Sequence, residues 1–110
     1  MKIIKTIAEK IEEELHDADA YVNLAMSWKD EQPDAAKVFY ELSLEEMGHV
    51  DKLHAAVAGL ISEYRQETGE PPKDMLTLYN YLHEKQMSML DAVDEGKMKS
   101  KRGRKPKKKS

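Results

Sequence analysis

The chain has 110 residues, 40% hydrophobic and 35% charged, with five Gly, four Pro and no Cys, the make-up of one small domain or one protomer of a larger assembly. It carries no apolar run of about 18 residues for a membrane span, no signal-peptide pattern, and no thiol for a disulfide framework or a thiolate zinc site, so a cytoplasmic protein without a membrane partner is expected. The net charge of −3 hides a division: residues 1–96 hold all 21 acids and nine Lys or Arg, a balance of −12, whereas residues 97–110 hold nine Lys or Arg and no acid, +9. The expected parts are a helical domain over 1–96 and a disordered basic tail over 97–110.

From Met1 to Gln32 there is neither Gly nor Pro, and Ile4, Ile7, Ile11, Ala18, Tyr21, Ala25 and Trp28 recur at helical spacing. This predicts a first helix over about 3–29. Lys29-Asp30-Glu31-Gln32-Pro33-Asp34 breaks it, with Pro33 suited to the first turn of the next helix. Phe39, Leu42, Val50, Leu53, Val57 and Leu60 mark a second stripe, which Thr68-Gly69-Glu70-Pro71-Pro72 ends. Met75, Leu78, Tyr79, Leu82, Gln86, Met89 and Val93 predict a third helix over about 73–95, with Gly96 as its stop.

The fold class is therefore all-α: two long helices joined by a loop short enough to force an antiparallel hairpin, then a shorter third helix. Helices of such unequal length close a core poorly. A two-fold homodimer, or a higher even-numbered assembly, would complete a four-helix core from two hairpins.

On a helical wheel, Ile7, Tyr21 and Ala25 fall within about 20° of Glu14, and Phe39, Leu53 and Val57 within about 20° of Glu46. Glu14 and Glu46 are thus expected in the middle of buried stripes, with His49 about 60° from Glu46 on the same face. An unpaired carboxylate there costs several kcal/mol, so a partner is required. A divalent metal is one such partner, because Glu46-Met47-Gly48-His49 presents a carboxylate and an imidazole at i, i+3, and Glu14 supplies a third ligand from the neighbouring helix. Mutual hydrogen bonding is the other.

Tyr21 and Trp28 are read first as core or interface fillers. Glu13, Asp17, Glu41 and Glu45 are read as a solvated face, with Asp17 and Glu45 at the stripe edges. His16 and His54 lie off the stripe centres and are expected to be exposed.

Glu14-Leu15 with Tyr21 seven residues on, followed by Glu45-Glu46-Met47-Gly48-His49 with Glu46 32 positions after Glu14, resembles half of a ferritin or rubrerythrin ferroxidase centre. His83 has no Glu three residues before it, so a second Glu-x-x-His is missing. The chain most resembles the encapsulated ferritins, two-helix members of the ferritin-like superfamily whose di-iron site forms between protomers. The resemblance implies that Glu14 is a terminal ligand, Glu46 bridges the metals, His49 binds one iron and Tyr21 lines the site. A two-fold pair would then offer four carboxylates and two imidazoles. The implied activity is oxidation of Fe(II) to Fe(III), with iron as the metal and manganese the other ion this ligand set accepts.

In the tail, Lys101-Arg102-Gly103-Arg104-Lys105 before Pro106 resembles an AT-hook, whose Arg-Gly-Arg lies in the minor groove of A·T tracts. It departs from the commonest form by Lys105. Lys107, Lys108 and Lys109 would neutralise phosphates without reading sequence. DNA is therefore the expected macromolecular partner, although encapsulated ferritins end instead in an apolar shell-docking peptide. The alternative to a ferroxidase is a non-enzymatic DNA-binding or packaging protein on the same helical hairpin.

Overall fold

The computed structural model describes the backbone of residues 2–109 and the side chains of residues 2–94. It holds three helices and, among the described residues, no strand: α1 (Lys2–Trp28), α2 (Pro33–Glu67) and α3 (Lys73–Lys109). At about 1.5 Å per residue, α2 is roughly 50 Å long.

The helix ends follow from the residues that cannot continue them. After Trp28 the chain closes one further turn, with Gln32 N–H donating to the Trp28 carbonyl at 2.8 Å. Pro33 then occupies the first turn of α2, where its missing N–H removes no helical bond. At the other end Gly69 adopts φ +110°, and its N–H donates to the Arg65 carbonyl at 3.2 Å. This is the glycine cap in its single-bond form, a conformation that a side chain would strain. Met75 N–H opens α3 by bonding to Asp74 Oδ1. The α3 helix does not stop at Gly96, because one Gly costs about 1 kcal/mol in a helix interior and does not end a helix by itself. The side chains of the basic tail, Lys101, Arg102, Arg104, Lys105, Lys107, Lys108 and Lys109 among them, lie outside the described residues, as does Gly103 of the AT-hook-like run.

The core of the chain runs along Ile4, Ala8, Ile11, Leu15, Ala18 and Val22 of α1, against Met47, Val50, Val57 and Ile61 of α2. Met75, Leu82 and Val93 of α3 pack over both. The buried line of α1 therefore lies about 80° around the helix from Glu14, not on it. Glu14 is therefore at the edge of the buried stripe of α1 and not at its centre as expected. Ile7, Tyr21 and Ala25, which flank Glu14, are half-buried, and Ile3 and Trp28 on the same line are 50% and 42% exposed. The wheel merged two faces, one that packs inside the chain and one that it leaves partly open. No helix among the described residues is long and apolar enough to cross a membrane.

Candidate metal centre

Glu14 comes from the middle of α1, and Glu46 and His49 from consecutive turns of α2. The antiparallel hairpin brings them together: His49 Nδ1 lies 3.3 Å from Glu14 Oε2 and 3.4 Å from Glu46 Oε1. Each residue offers a ligand atom within 4.8 Å of the others, so the three form a group able to hold a metal ion. The donor set fits a hard or borderline divalent cation: two carboxylate oxygens and one imidazole nitrogen.

The Glu14 and Glu46 side chains are 13% and 16% exposed, whereas the His49 ring is 54% exposed. The triad thus sits at the rim of the hairpin, with its imidazole outward, and His49 is not in the core of the chain as expected. Leu15 and Met47, next in sequence to the two acids, are the residues that enter the core.

Two carboxylates this close cannot both ionise freely. The hydrogen bond to Glu14, reinforced by burial, pushes Glu46 up to about 7, from an ordinary value of 4.5. Glu14, which accepts that bond and lies beside His49, is lowered. The pair therefore shares one proton near neutrality, held on Glu46.

The other expected residues fall around this group. Tyr21 is half-buried two turns beyond Glu14 on the same face, and among the described residues it makes no hydrogen bond to the triad. Glu13 pairs with Lys10 at 3.1 Å on the solvated side. Asp17, Glu41, Glu45 and His16 are exposed. His54 is not exposed as expected: it is half-buried between α2 and α3, its ring 4.6 Å from that of Tyr79 and 5.3 Å from that of His83. The signal for it was present in the sequence. Tyr40, Met47, His54 and Ile61 recur every seven residues, a second stripe on α2 that faces α3. No protein-family model, curated protein or solved structure matches the chain.

Proposed function

We propose that this chain is half of a ferritin-like ferroxidase, oxidising Fe(II) to Fe(III) at a di-iron centre that two protomers share. The observation that carries the reading is the convergence of Glu14, Glu46 and His49 from two helices onto one partly open rim. A three-ligand group is half of what a carboxylate-bridged pair of ions needs, and a second copy related by a two-fold axis would bring the other half. The apolar residues around Glu14 give that copy a surface to cover: Ile3 and Trp28 are exposed, and Ile7, Tyr21 and Ala25 are half-buried.

In this reading Fe(II) is the substrate, and iron held at the site supplies the one-electron chemistry with dioxygen as oxidant. Glu14 is already ionised and offers its carboxylate first. Glu46 gives up the shared proton as the cation arrives and becomes a full ligand. The exposed His49 ring, turned to the rim, meets the incoming ion, and the excess of acids over residues 1–96 raises the local cation concentration. Manganese would satisfy the same donors.

The basic tail gives the second reading. Nine positive charges in 14 residues favour a polyanion, and a DNA-binding arm on the iron-oxidising body joins the two. A DNA-packaging hairpin without oxidase activity is the competing form, with the triad holding a structural metal or only its own hydrogen bonds.

The deciding experiment adds Fe(II) anaerobically to protein of known molar mass and then admits air. A near-ultraviolet rise faster than in buffer, one iron per chain in an even-numbered assembly, and loss of both in Glu46→Ala support the ferroxidase. Oxidation no faster than in buffer refutes it. In the same preparations, weaker retention of an A·T-rich duplex by residues 1–96 than by the full chain would assign DNA contact to the tail.

A further inference from the structure

The opposite side of α2 carries a polar cluster that the iron chemistry does not use. His54 of α2 faces His83 of α3 with ring centroids 5.3 Å apart and planes tilted by 38°. Asp51 stands one turn before His54 and Gln86 one turn after His83, so the antiparallel helices set Asp51 against Gln86 as a second rung beside the two imidazoles. Gln86 Nε2 donates to Asp51 Oδ1. Two buried side-chain polar atoms lack a partner among the described residues, and both belong to this cluster: His54 Nε2 and Gln86 Oε1.

Orphans of this kind cost about 1–3 kcal/mol each, and buried polar atoms nearly always find a partner. A partner common to both must suit the lone pair of Gln86 Oε1 and that of His54 Nε2 in the tautomer that leaves this nitrogen unprotonated. Burial and the neighbouring His83 lower His54 from its ordinary value, so its ring is neutral at pH 7 and one nitrogen is a bare acceptor. Gln86 Oε1 is an acceptor whatever the pH. The ring spacing selects between candidates. With the ion about 3.1 Å from each ring centroid and tetrahedral angles, two imidazoles on one ion have centroids about 5 Å apart.

We propose that His54 and His83 form a second metal site, taking a divalent transition ion of the Zn²⁺, Co²⁺ or Ni²⁺ class, with Gln86 Oε1 as a third donor. Two imidazoles and an amide oxygen make a nitrogen-rich set that these ions favour over Mg²⁺ or Ca²⁺. Asp51, held in place by the Gln86 amide, supplies compensating negative charge without giving up its hydrogen bond. A metal there ties α3 to α2, and it does so independently of the Glu14, Glu46 and His49 rim.

The test uses the untagged full chain carrying His49→Ala, which disables the rim group, titrated with Zn²⁺ against a chromophoric chelator. One Zn²⁺ per chain is expected, with a higher unfolding temperature and at least about a tenfold loss of affinity on adding His83→Ala. Because His83 is exposed, that change leaves the fold intact, which circular dichroism checks. Co²⁺ should give the intense visible bands of a tetrahedral site in the first protein and not in the second. Equal Zn²⁺ uptake with and without His83 overturns the proposal, and so does no uptake by either, which would assign the orphans to a bridging water. Glu46→Ala separates the two centres: it should abolish iron oxidation and leave in place the Zn²⁺ held by His54 and His83.

Discussion

Replacing Glu46 with Gln should stabilise the metal-free protein at neutral pH while weakening the hold of the Glu14, Glu46 and His49 rim on a metal ion. In the folded chain the Glu46 proton bridges to Glu14, so folding raises the carboxyl from 4.5 to about 7. A raised acid means that the folded state binds the proton more tightly than the unfolded one, so stability is full below pH 4.5 and falls as pH rises towards 7. The distance between those values caps the loss at about 3 kcal/mol. The lowering of Glu14 works in the opposite sense, and solvent reaches part of the rim, leaving about 1–2 kcal/mol. Gln cannot ionise, and its amide N–H donates to Glu14 where the carboxyl O–H did. Urea unfolding of both proteins with chelator present, at fixed protein concentration, should give curves that meet at the acid end, diverge between about pH 4.5 and about pH 7, and run parallel above. Working with the difference between them cancels the titration of groups that do not touch Glu46, leaving that of Glu46 with its neighbours Glu14 and His49. A difference that stays constant across that range would refute the shared proton.

The same proton should appear in metal binding: apparent Fe(II) affinity should fall by about tenfold per pH unit below about 7, with proton release seen by calorimetry in two buffers, and a flat profile would break the link. Gly48→Ala and Gly59→Ala should each stabilise the chain by about 1 kcal/mol, since an added Cβ meets nothing within 4 Å at either position. A lower urea midpoint would show that those faces are covered. Leu82→Ala should cost about 2–5 kcal/mol, because Leu82 is fully buried on α3; a cost near that of Met87→Ala, which removes a 40% exposed side chain and should stay within about 0.5 kcal/mol, would show that α3 is not docked. Trp28→Lys should halve the molar mass in light scattering with helicity retained, if a second copy covers this face; an unchanged mass would place the contact elsewhere.

Helix boundaries were the legible part of this fold, because each rests on a residue with one mechanical effect. Pro33 cannot sit deeper than the first turn of α2, Gly69 takes the positive φ that closes it, and Pro71-Pro72 keeps the linker extended. The third boundary failed for the same reason in reverse. Gly96 is permissive of an end without enforcing one, and α3 continues past it to Lys109.

Which face of each helix enters the core was harder to read, and the difficulty is physical. A helix of 35 residues packed on two neighbours needs a wide apolar arc, and a wheel returns its average direction. On α2 that average lies near Glu46, whereas the buried residues Met47, Val50, Val57 and Ile61 lie about 20–100° to one side of it, towards His54. His54 was lost in the average, and with it the His83 contact. On α1 the average was drawn towards Glu14 by Tyr21, Ala25 and Trp28, none of which is in the core of the single chain. The displacement itself carries information. Apolar residues on a line with a carboxylate, yet only half-covered by their own chain, are what a rim shaped for a second copy would require, and the 54% exposed His49 ring lies along the same rim. If Trp28→Lys leaves the assembly intact, that line has another explanation and the shared centre loses its principal structural support.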